Sequence, residues 1–264
     1  MSQPLGKLYL VPAPLDFACD TQSAITDVLP QLTLERAASL RHWVVENAKS
    51  SRAVLKRIGA ITPLVCSLQE MHIQELPREL HKKGDHSPAQ VDGAAVRALL
   101  APLLAGHDIG LMSEAGMPAV ADPGSSLVRA AHDMGAQVQT LVGPSSLLLA
   151  LASSGLSGQS FAFVGYLPQQ EPERGQRITQ LETLARKSGQ AQLCIETPYR
   201  NKALWQALLA QLQGETRLAL ASGLTLESAV TLSLPVHSWR KADAALQARI
   251  AAALAAPCIF TWGP

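Results

Sequence analysis

Apolar and polar positions between residues 111 and 146 predict a strand, a loop, a helix, a second strand, a second loop and a second helix. The short apolar run at residues 108–112 is typical of a buried strand, and a turn follows it. Asp122 stands directly before Pro123, which predicts an N-cap followed by proline at the first helical position. Such a unit places two loops at the carboxyl ends of neighbouring strands, where open α/β sheets bind small molecules.

The second half of this unit predicts an anion-binding helix end. A strand over residues 137–142 leads into Gly143-Pro144-Ser145-Ser146, and an apolar helical segment follows. Ser145 or Ser146 can cap that helix, whose exposed N–H groups could hold a carboxylate. A small-molecule site is therefore the leading interpretation.

The same alternation of strands and helices continues along the chain and predicts an α/β fold with two domains. Further strands are expected at residues 7–11, 161–164, 191–195, 217–221, 230–234 and 257–262. Further helices are expected at residues 22–29, 50–58, 89–104, 178–186, 202–212 and 242–254. Residues 34–45 mix both signals, and residues 77–88 predict an exposed polar loop. We place the domains at residues 1–124 and 125–264.

Composition narrows the function classes only partly. Charged residues make up 16% of the 264 residues and the formal net charge is +1, so RNA binding is permitted but not indicated. The four cysteines lie far apart without metal-ligand spacing, which predicts no metal site and free thiols buried in the core of a protein in a reducing compartment. The first residues are too few and too polar for a signal peptide, and no apolar run reaches membrane-spanning length. We therefore expect a soluble, cytoplasmic protein with no membrane partner.

Four motifs occur in an order and spacing that together are specific. They are Ser-Glu-Ala-Gly-Met-Pro-Ala-Val-Ala-Asp-Pro-Gly at residues 113–124, Val-Gly-Pro-Ser-Ser at 142–146, Gly-Tyr-Leu-Pro at 165–168 and Glu-Thr-Pro-Tyr-Arg at 196–200. In these motifs the chain resembles the tetrapyrrole methylase superfamily, and most of all its branch of small-subunit rRNA cytidine 2′-O-methyltransferases.

The resemblance implies two α/β domains with S-adenosylmethionine bound in the cleft between them, a homodimer, and rRNA as substrate. It also implies a set of cofactor-binding residues: Pro14, Met112, Ser113, Glu114, Met117, Ser145, Ser146, Glu196, Ala221 and Gly223. Backbone groups do most of the recognition in such a pocket.

Several positions on the expected substrate side differ from that branch. Its first loop carries Gly-Asn where this chain has Asp16-Phe17. Its Ala-Glu-Asp-Thr-Arg motif stands here as Val-Glu-Asn-Ala-Lys at residues 45–49, which keeps the glutamate and a cation but loses the aspartate. A segment with His and Asn is replaced by Leu-Gln-Glu-Met at residues 68–71.

Methyl transfer from a sulfonium to a ribose hydroxyl is an in-line displacement that needs alignment, exclusion of water and a group that takes the hydroxyl proton. Glu46 is the first candidate for that base, and Lys49 and Arg200 are candidates for holding a phosphate or orienting the acceptor. Simpler roles compete with these assignments. Glu46 could cap the helix that begins near Ser50, and Asp122 is favoured as an N-cap over a catalytic group.

Three functions remain open from the sequence. The first is an S-adenosylmethionine-dependent methyltransferase acting on a ribose 2′-hydroxyl of rRNA. The second is an enzyme of the same fold that methylates a tetrapyrrole carbon. The third is a cofactor-binding paralogue with weakened catalysis, suggested by Asp16-Phe17 and Asn47-Ala48.

Overall fold

A computed structural model describes residues 4–17, 19–77 and 93–264 of the chain. The chain divides into two compact units. The first unit comprises Met1–Ala18 and Ser23–Pro144, and the second comprises Cys19–Gln22 and Ser145–Pro264.

The first unit is built on a five-stranded parallel sheet with strand order β3-β2-β4-β1-β5. Its strands are β1 (Leu8–Leu10), β2 (His42–Val45), β3 (His72–Glu75), β4 (Ile109–Met112) and β5 (Val138–Thr140). Leu8 lies opposite Ile109 on one side and Val138 on the other. Because all the pairings are parallel, the carboxyl ends of the five strands lie along one edge of the sheet.

Helices cover both faces of this sheet, as parallel sheets require. In the part of this unit that the structure describes they are α1 (Ile25–Val28), α2 (Gln31–Ala38), α3 (Ala48–Gly59), α4 (Gly93–Leu99), α5 (Ala101–Leu104) and α6 (Ser125–Asp133). Alternate strand residues enter different cores, since successive side chains point to opposite faces. Trp43 packs in a cluster with residues of α2 and α3, whereas Val44 packs in a cluster with residues of α4, α5 and α6.

The second unit contains a mixed sheet with strand order β6-β7-β10-β8-β9. Its strands are β6 (Phe161–Phe163), β7 (Ala191–Glu196), β8 (Arg217–Ser222), β9 (Val230–Pro235) and β10 (Cys258–Gly263). β6 is parallel to β7, and β10 lies between β7 and β8 and is antiparallel to both.

The helices of the second unit are α7 (Ser146–Ser154), α8 (Glu173–Ser188), α9 (Pro198–Gln211), α10 (Val236–Trp239) and α11 (Ala244–Leu254). The larger core cluster of this unit contains Phe260 and Trp262 of β10 together with Trp205 of α9 and Trp239 of α10. The rings of Trp205 and Trp239 meet edge to face with centroids 5.1 Å apart. The α/β fold with two sheets is thus confirmed.

The division between the units differs from the predicted boundary at residue 124. It falls between Pro144 and Ser145, because β5 pairs with β1 and α6 packs in the core of the first unit. The segment 125–144, which we assigned to the second domain, therefore belongs to the first unit.

The structure also differs from three local predictions. The ambiguous segment 34–45 contains the end of helix α2 and the strand β2, and the strand β3 was not predicted. The single helix expected over residues 89–104 is divided, in its described part, into α4 and α5 at Leu100. Pro102 explains the division, since proline removes a helical N–H and is tolerated only in a first turn. The predicted loop 77–88 lies almost wholly outside the described residues.

The cysteine prediction holds for two of the four thiols. Cys194 and Cys258 are buried in the second unit, and burial raises the pKa of the Cys258 thiol to about 12. Cys19 and Cys66 are only partly buried. Throughout the described residues, no helix combines the length and apolarity needed to cross a bilayer.

Candidate functional site

Loops that follow β1, β2 and β4 are joined by backbone hydrogen bonds at the carboxyl edge of the first sheet. The N–H of Glu46 donates to the carbonyl of Met112 at 3.1 Å. Ala13 and Gly116 exchange two backbone hydrogen bonds, of 2.9 and 3.0 Å. The loops therefore form a connected backbone surface at the edge where ligands of parallel sheets bind.

Three carboxyl groups come together on this surface. The backbone N–H of Glu114 donates to Glu46 Oε2 at 3.2 Å, and Ser50 Oγ donates to Glu114 Oε1 at 3.2 Å. Burial, followed by the charges of Glu46 and Glu114, raises the pKa of Asp122 to about 7. We call Glu46, Glu114 and Asp122 the carboxyl cluster.

The backbone that carries Asp122 is strained. Ala119 and Ala121 adopt φ values of 64° and 68°, which residues with a Cβ rarely occupy. Conformations of this kind cost of order 1–3 kcal/mol each and persist where surrounding contacts hold them. Gly124 has φ of 140°, and a Cβ there would approach Leu111 and Ala119 at 3.0 and 3.3 Å. This loop is held in one conformation at a cost in stability, a property common in functional sites.

Two structural alternatives from the sequence are wrong. Asp122 is not an N-cap, because the chain turns once more after Asp122 and α6 begins only at Ser125. Gly124 occupies the capping position, and no side chain caps the helix. Glu46 does not cap α3 either. Asn47 does so, accepting hydrogen bonds from the N–H groups of Lys49 and Ser50 at 2.9 and 3.2 Å.

The predicted cofactor-binding residues of the first unit lie on or beside this surface. Met112 and Ser113 are buried at the end of β4, Pro14 is buried after β1, and Met117 is half-buried. Ser113 is 1% exposed and its hydroxyl has no hydrogen-bond partner. A buried hydroxyl without a partner is costly, so it marks a position where a bound molecule can supply one.

Three of the residues that differ from the methyltransferase branch, Asp16, Asn47 and Leu68, have structural partners. Arg57 Nη1 lies 2.9 Å from Asp16 Oδ1, and the N–H of Ser23 donates to Asp16 Oδ2 at 3.1 Å. Arg52 donates to the carbonyl of Leu68 at 2.6 Å. Asp16 and Asn47 thus stabilise their own loops.

In the second unit, Glu196 and Arg200 form an ion pair at the carboxyl end of β7. Arg200 donates to Glu196 Oε1 from Nε and Nη2 at 2.9 and 2.7 Å, and the N–H of Thr197 donates to the same oxygen at 2.7 Å. These hydrogen bonds raise the pKa of the Arg200 guanidinium. Arg200 is therefore held by a carboxylate, and Lys49 is exposed in the first turn of α3.

The remaining predicted residues occupy loop and helix ends of the second unit. Ser145 is the N-cap of α7 but makes no side-chain cap bond, and Ser146 is the first helical residue. Ala221 is buried in β8 within a cluster that includes Leu147 of α7. Gly223 follows β8 with φ of 62°.

The sequence alone predicted neither the placement of Asp122 near Glu46 and Glu114 nor the hydrogen bond from Ser50 to Glu114. The small residues Ala119 and Ala121 before Asp122 were the available signal, since long or branched side chains tolerate positive φ less well. Within the described residues, no group of three His, Cys, Asp or Glu side chains is arranged to hold a metal ion.

The fold and these loops define a two-unit α/β protein whose first unit carries a candidate ligand site at the carboxyl edge of its sheet. The family model for tetrapyrrole (corrin/porphyrin) methylases matches residues 35–236. The chain therefore belongs to the tetrapyrrole methylase family.

Relatives with curated names agree with this membership. The chain is 33% identical over 219 residues to "Ribosomal RNA small subunit methyltransferase I" of Mesorhizobium japonicum, covering 83% of this chain and 63% of that protein. It is 30% identical over 242 residues to the protein of the same name from Escherichia coli O157:H7, covering 90% and 73%. It spans less than two thirds of the length of several such relatives.

A solved structure shares the fold. Uroporphyrin-III C-methyl transferase from Thermus thermophilus, complexed with S-adenyl homocysteine, matches with a TM-score of 0.52 and 16% identity, covering 98% of this chain and 97% of that chain.

Proposed function

We propose that this protein is an S-adenosylmethionine-dependent methyltransferase that methylates a ribose 2′-hydroxyl of ribosomal RNA. The observation that carries the proposal is the 30% identity over 242 residues with a relative named as a small-subunit rRNA methyltransferase. The carboxyl edge of the first sheet supports it with a site of suitable chemistry.

The residues on this edge fit a cationic methyl donor. S-adenosylmethionine supplies an electrophilic methyl group on a positively charged sulfur. The charges of Glu46 and Glu114 favour a cation, the hydroxyl of Ser113 lacks a partner, and the backbone after β1 and β4 offers N–H and carbonyl groups. We infer that Pro14, Met112, Ser113, Glu114 and Met117 hold the donor. The contributions of Ser145, Ser146, Glu196, Ala221 and Gly223 stay predictions.

Asp122 is better suited than Glu46 to take the proton of the acceptor hydroxyl. A general base works best when its pKa lies near the working pH, and the pKa of Asp122 is raised to about 7. Glu46 already accepts the Glu114 N–H. We therefore assign proton transfer to Asp122, with burial and then the charges of Glu46 and Glu114 maintaining its raised pKa. Lys49 remains our candidate for orienting a phosphate of the acceptor, whereas Arg200 is engaged by Glu196.

Weakened catalysis is not favoured by the residues that suggested it. Asp16 pairs with Arg57 and Asn47 caps α3, so both substitutions have structural explanations. We further propose that the protein acts in the cytoplasm and forms a homodimer. Light scattering of the purified chain can test the dimer.

A methyl-transfer assay tests the proposal. Purified protein and tritiated S-adenosylmethionine are incubated with small ribosomal subunits from a strain lacking the corresponding gene, and digested nucleosides are identified by mass spectrometry. We expect one 2′-O-methylated nucleoside. Transfer to uroporphyrinogen but not to RNA would favour a tetrapyrrole enzyme, and tight donor binding without transfer to either would favour the catalytically weakened paralogue.

A further inference from the structure

Two exposed tyrosines lie at neighbouring strand ends in the second unit. β6 is parallel to β7, and the N–H of Ile195 in β7 donates to the carbonyl of Gly165 at 3.2 Å. Tyr166 follows Gly165 directly, and Tyr199 lies in the first turn of α9, the helix that follows β7. The two rings therefore belong to adjacent loops at one edge of the sheet.

Arg200 fixes one of these rings and lies near the other. Its guanidinium carbon is 5.0 Å from the centre of the Tyr199 ring, and its Nη1 donates to the Tyr199 hydroxyl at 3.2 Å. The phenol groups of both Tyr199 and Tyr166 contribute to the raised pKa of Arg200. Since Glu196 holds the other side of the guanidinium, the position of Arg200 is set before any ligand arrives.

Both rings face solvent. Tyr199 is 80% exposed and Tyr166 is 57% exposed, although Leu167 beside it is buried in the core. Leu167 thus anchors the loop while Tyr166 remains outside.

We infer that Tyr166, Tyr199 and Arg200 form a stacking surface for unpaired nucleobases of an RNA substrate. Aromatic rings and arginine guanidinium planes are the groups on which single-stranded RNA stacks its bases. The inference deepens the proposed function and rests on it, because it names the form in which RNA is bound: an unpaired strand with its bases exposed.

The surroundings favour a nucleobase over a protein partner. Tyrosines also occur in protein interfaces, but the core of such an interface is apolar around them. Here the chain next to Tyr166 and Tyr199 consists of exposed Pro168, Gln169, Gln170 and Pro198, without an exposed aliphatic side chain.

The test measures binding of a short, fluorescein-labelled single-stranded RNA to the full-length chain by anisotropy. We expect Tyr199→Ala and Tyr166→Ala each to weaken binding by roughly fivefold or more, as loss of one stacking ring does elsewhere. Tyr199→Phe and Tyr166→Phe should retain most of the affinity, because the ring remains. Phe161→Ala is the matched control, since Phe161 is an aromatic residue at the other end of β6 with 40% exposure, and we expect it to bind as the wild type does.

Further measurements separate this inference from its alternatives. A duplex RNA of the same sequence should lose little affinity in the alanine variants, since its bases are already stacked. Equal losses for duplex and single strand, unchanged binding by the alanine variants, or no RNA binding by the wild type would overturn the inference. So would conversion of a dimer to a monomer by Tyr199→Ala, which would make this surface an interface between two copies. Calorimetry with S-adenosylmethionine reports on the proposed function separately, because neither tyrosine is among the residues proposed to hold the donor.

Discussion

At the scale of single residues, Asp122 combines a raised pKa with a strained loop. Burial and the charges of Glu46 and Glu114 disfavour the ionised form of its carboxyl group, so this form destabilises the fold at neutral pH. A native pKa above the ordinary value means that the folded state binds the proton more tightly. The stabilising effect of that proton is complete below the ordinary pKa of 3.8 and is lost as the pH rises through about 7.

Replacing Asp122 by Asn should therefore separate activity from stability. We expect Asp122→Asn to lower kcat by roughly 10²–10⁴-fold, because a general base is lost. The same variant should have a higher free energy of unfolding than the wild type at pH 8, because a neutral amide replaces a buried carboxylate that is ionised at this pH. Methyl-transfer kinetics and denaturant unfolding measure the two effects, and undiminished activity would contradict the assignment.

Glu46→Gln provides the matched comparison. Removing one negative charge from the carboxyl cluster should lower the pKa of Asp122 and shift the rising limb of the pH–rate profile to lower pH. An unshifted profile would show that Asp122 does not set it.

His42 produces the opposite pH dependence at the other end of β2. Its ring stacks between His72 and His107, with centroids 4.9 and 5.1 Å away. Burial, then the charges of His72, His107 and Arg41, lower the pKa of His42 from its ordinary value of 6.5. The unfolded chain therefore takes up this proton first as the pH falls, so stability decreases below about 6.5.

His42→Phe should keep the stack and remove the titration. We expect the wild type to lose more stability than His42→Phe between pH 7 and pH 5, as measured by urea unfolding. His132→Phe, on the exposed face of α6, is the control and should follow the wild type. An equal loss in wild type and His42→Phe would exclude His42 as the cause.

The sequence indicated the location of the site better than the roles of its residues. Glu114, Ser113 and Met112 could be selected because they follow a buried strand directly. The role of Asp122 depends on Glu46, which lies far away in the chain, and on backbone angles at Ala119 and Ala121 that no local pattern shows.

At the scale of elements, helix α3 depends on a cap that replaces the aspartate of the related branch. Asn47 accepts hydrogen bonds from Lys49 and Ser50, and the same helix supplies Ser50 to Glu114. Its start is thus coupled to the carboxyl cluster.

Asn47→Ala should destabilise the protein by about 0.5–2 kcal/mol, the ordinary cost of losing such a cap. Asn47→Asp should be nearly neutral for stability, because aspartate caps helices equally well. Thermal unfolding of both variants and of the wild type measures these differences in stability. Equal melting temperatures for Asn47→Ala and the wild type would show that the cap contributes nothing.

Strands and helices were predicted correctly where apolar residues were periodic, and were missed where tertiary contacts determine the secondary structure. β7, β8 and β10 have buried residues throughout most of their length and were predicted within a residue or two. β3 contains His72, Ile73, Gln74 and Glu75 and is mostly exposed, so its pairing with β2 and not its hydrophobicity makes it a strand.

At the scale of the whole molecule, each of the two units has core clusters of its own, built from different parts of the sequence. The sequence predicted two domains but misplaced their division, because pairing of β5 with β1 joins residues far apart in the chain. Nothing in the composition of residues 125–144 distinguishes a last strand of one sheet from a first strand of the next.

Phe260→Ala should lower the stability of the second unit selectively. Phe260 is fully buried in β10, and loss of a buried phenyl group costs about 3–5 kcal/mol. Hydrogen exchange with mass spectrometry should show lost protection in β7, β8 and β10, with smaller changes in β1 and β4 of the first unit. Leu184→Ala, at an exposed position of α8, is the control and should leave protection unchanged. A uniform loss across both units would contradict separate cores.

The central position of β10 also has a consequence for biosynthesis. While a ribosome is still adding residues before Cys258, β7 and β8 have been made but the strand that joins them has not. Their facing edges therefore stay open, with unpaired N–H and carbonyl groups beside apolar side chains, and such edges promote aggregation. The sheet of the second unit closes only after residues 258–263 have left the exit tunnel, so its folding follows the synthesis of this unit and does not accompany it.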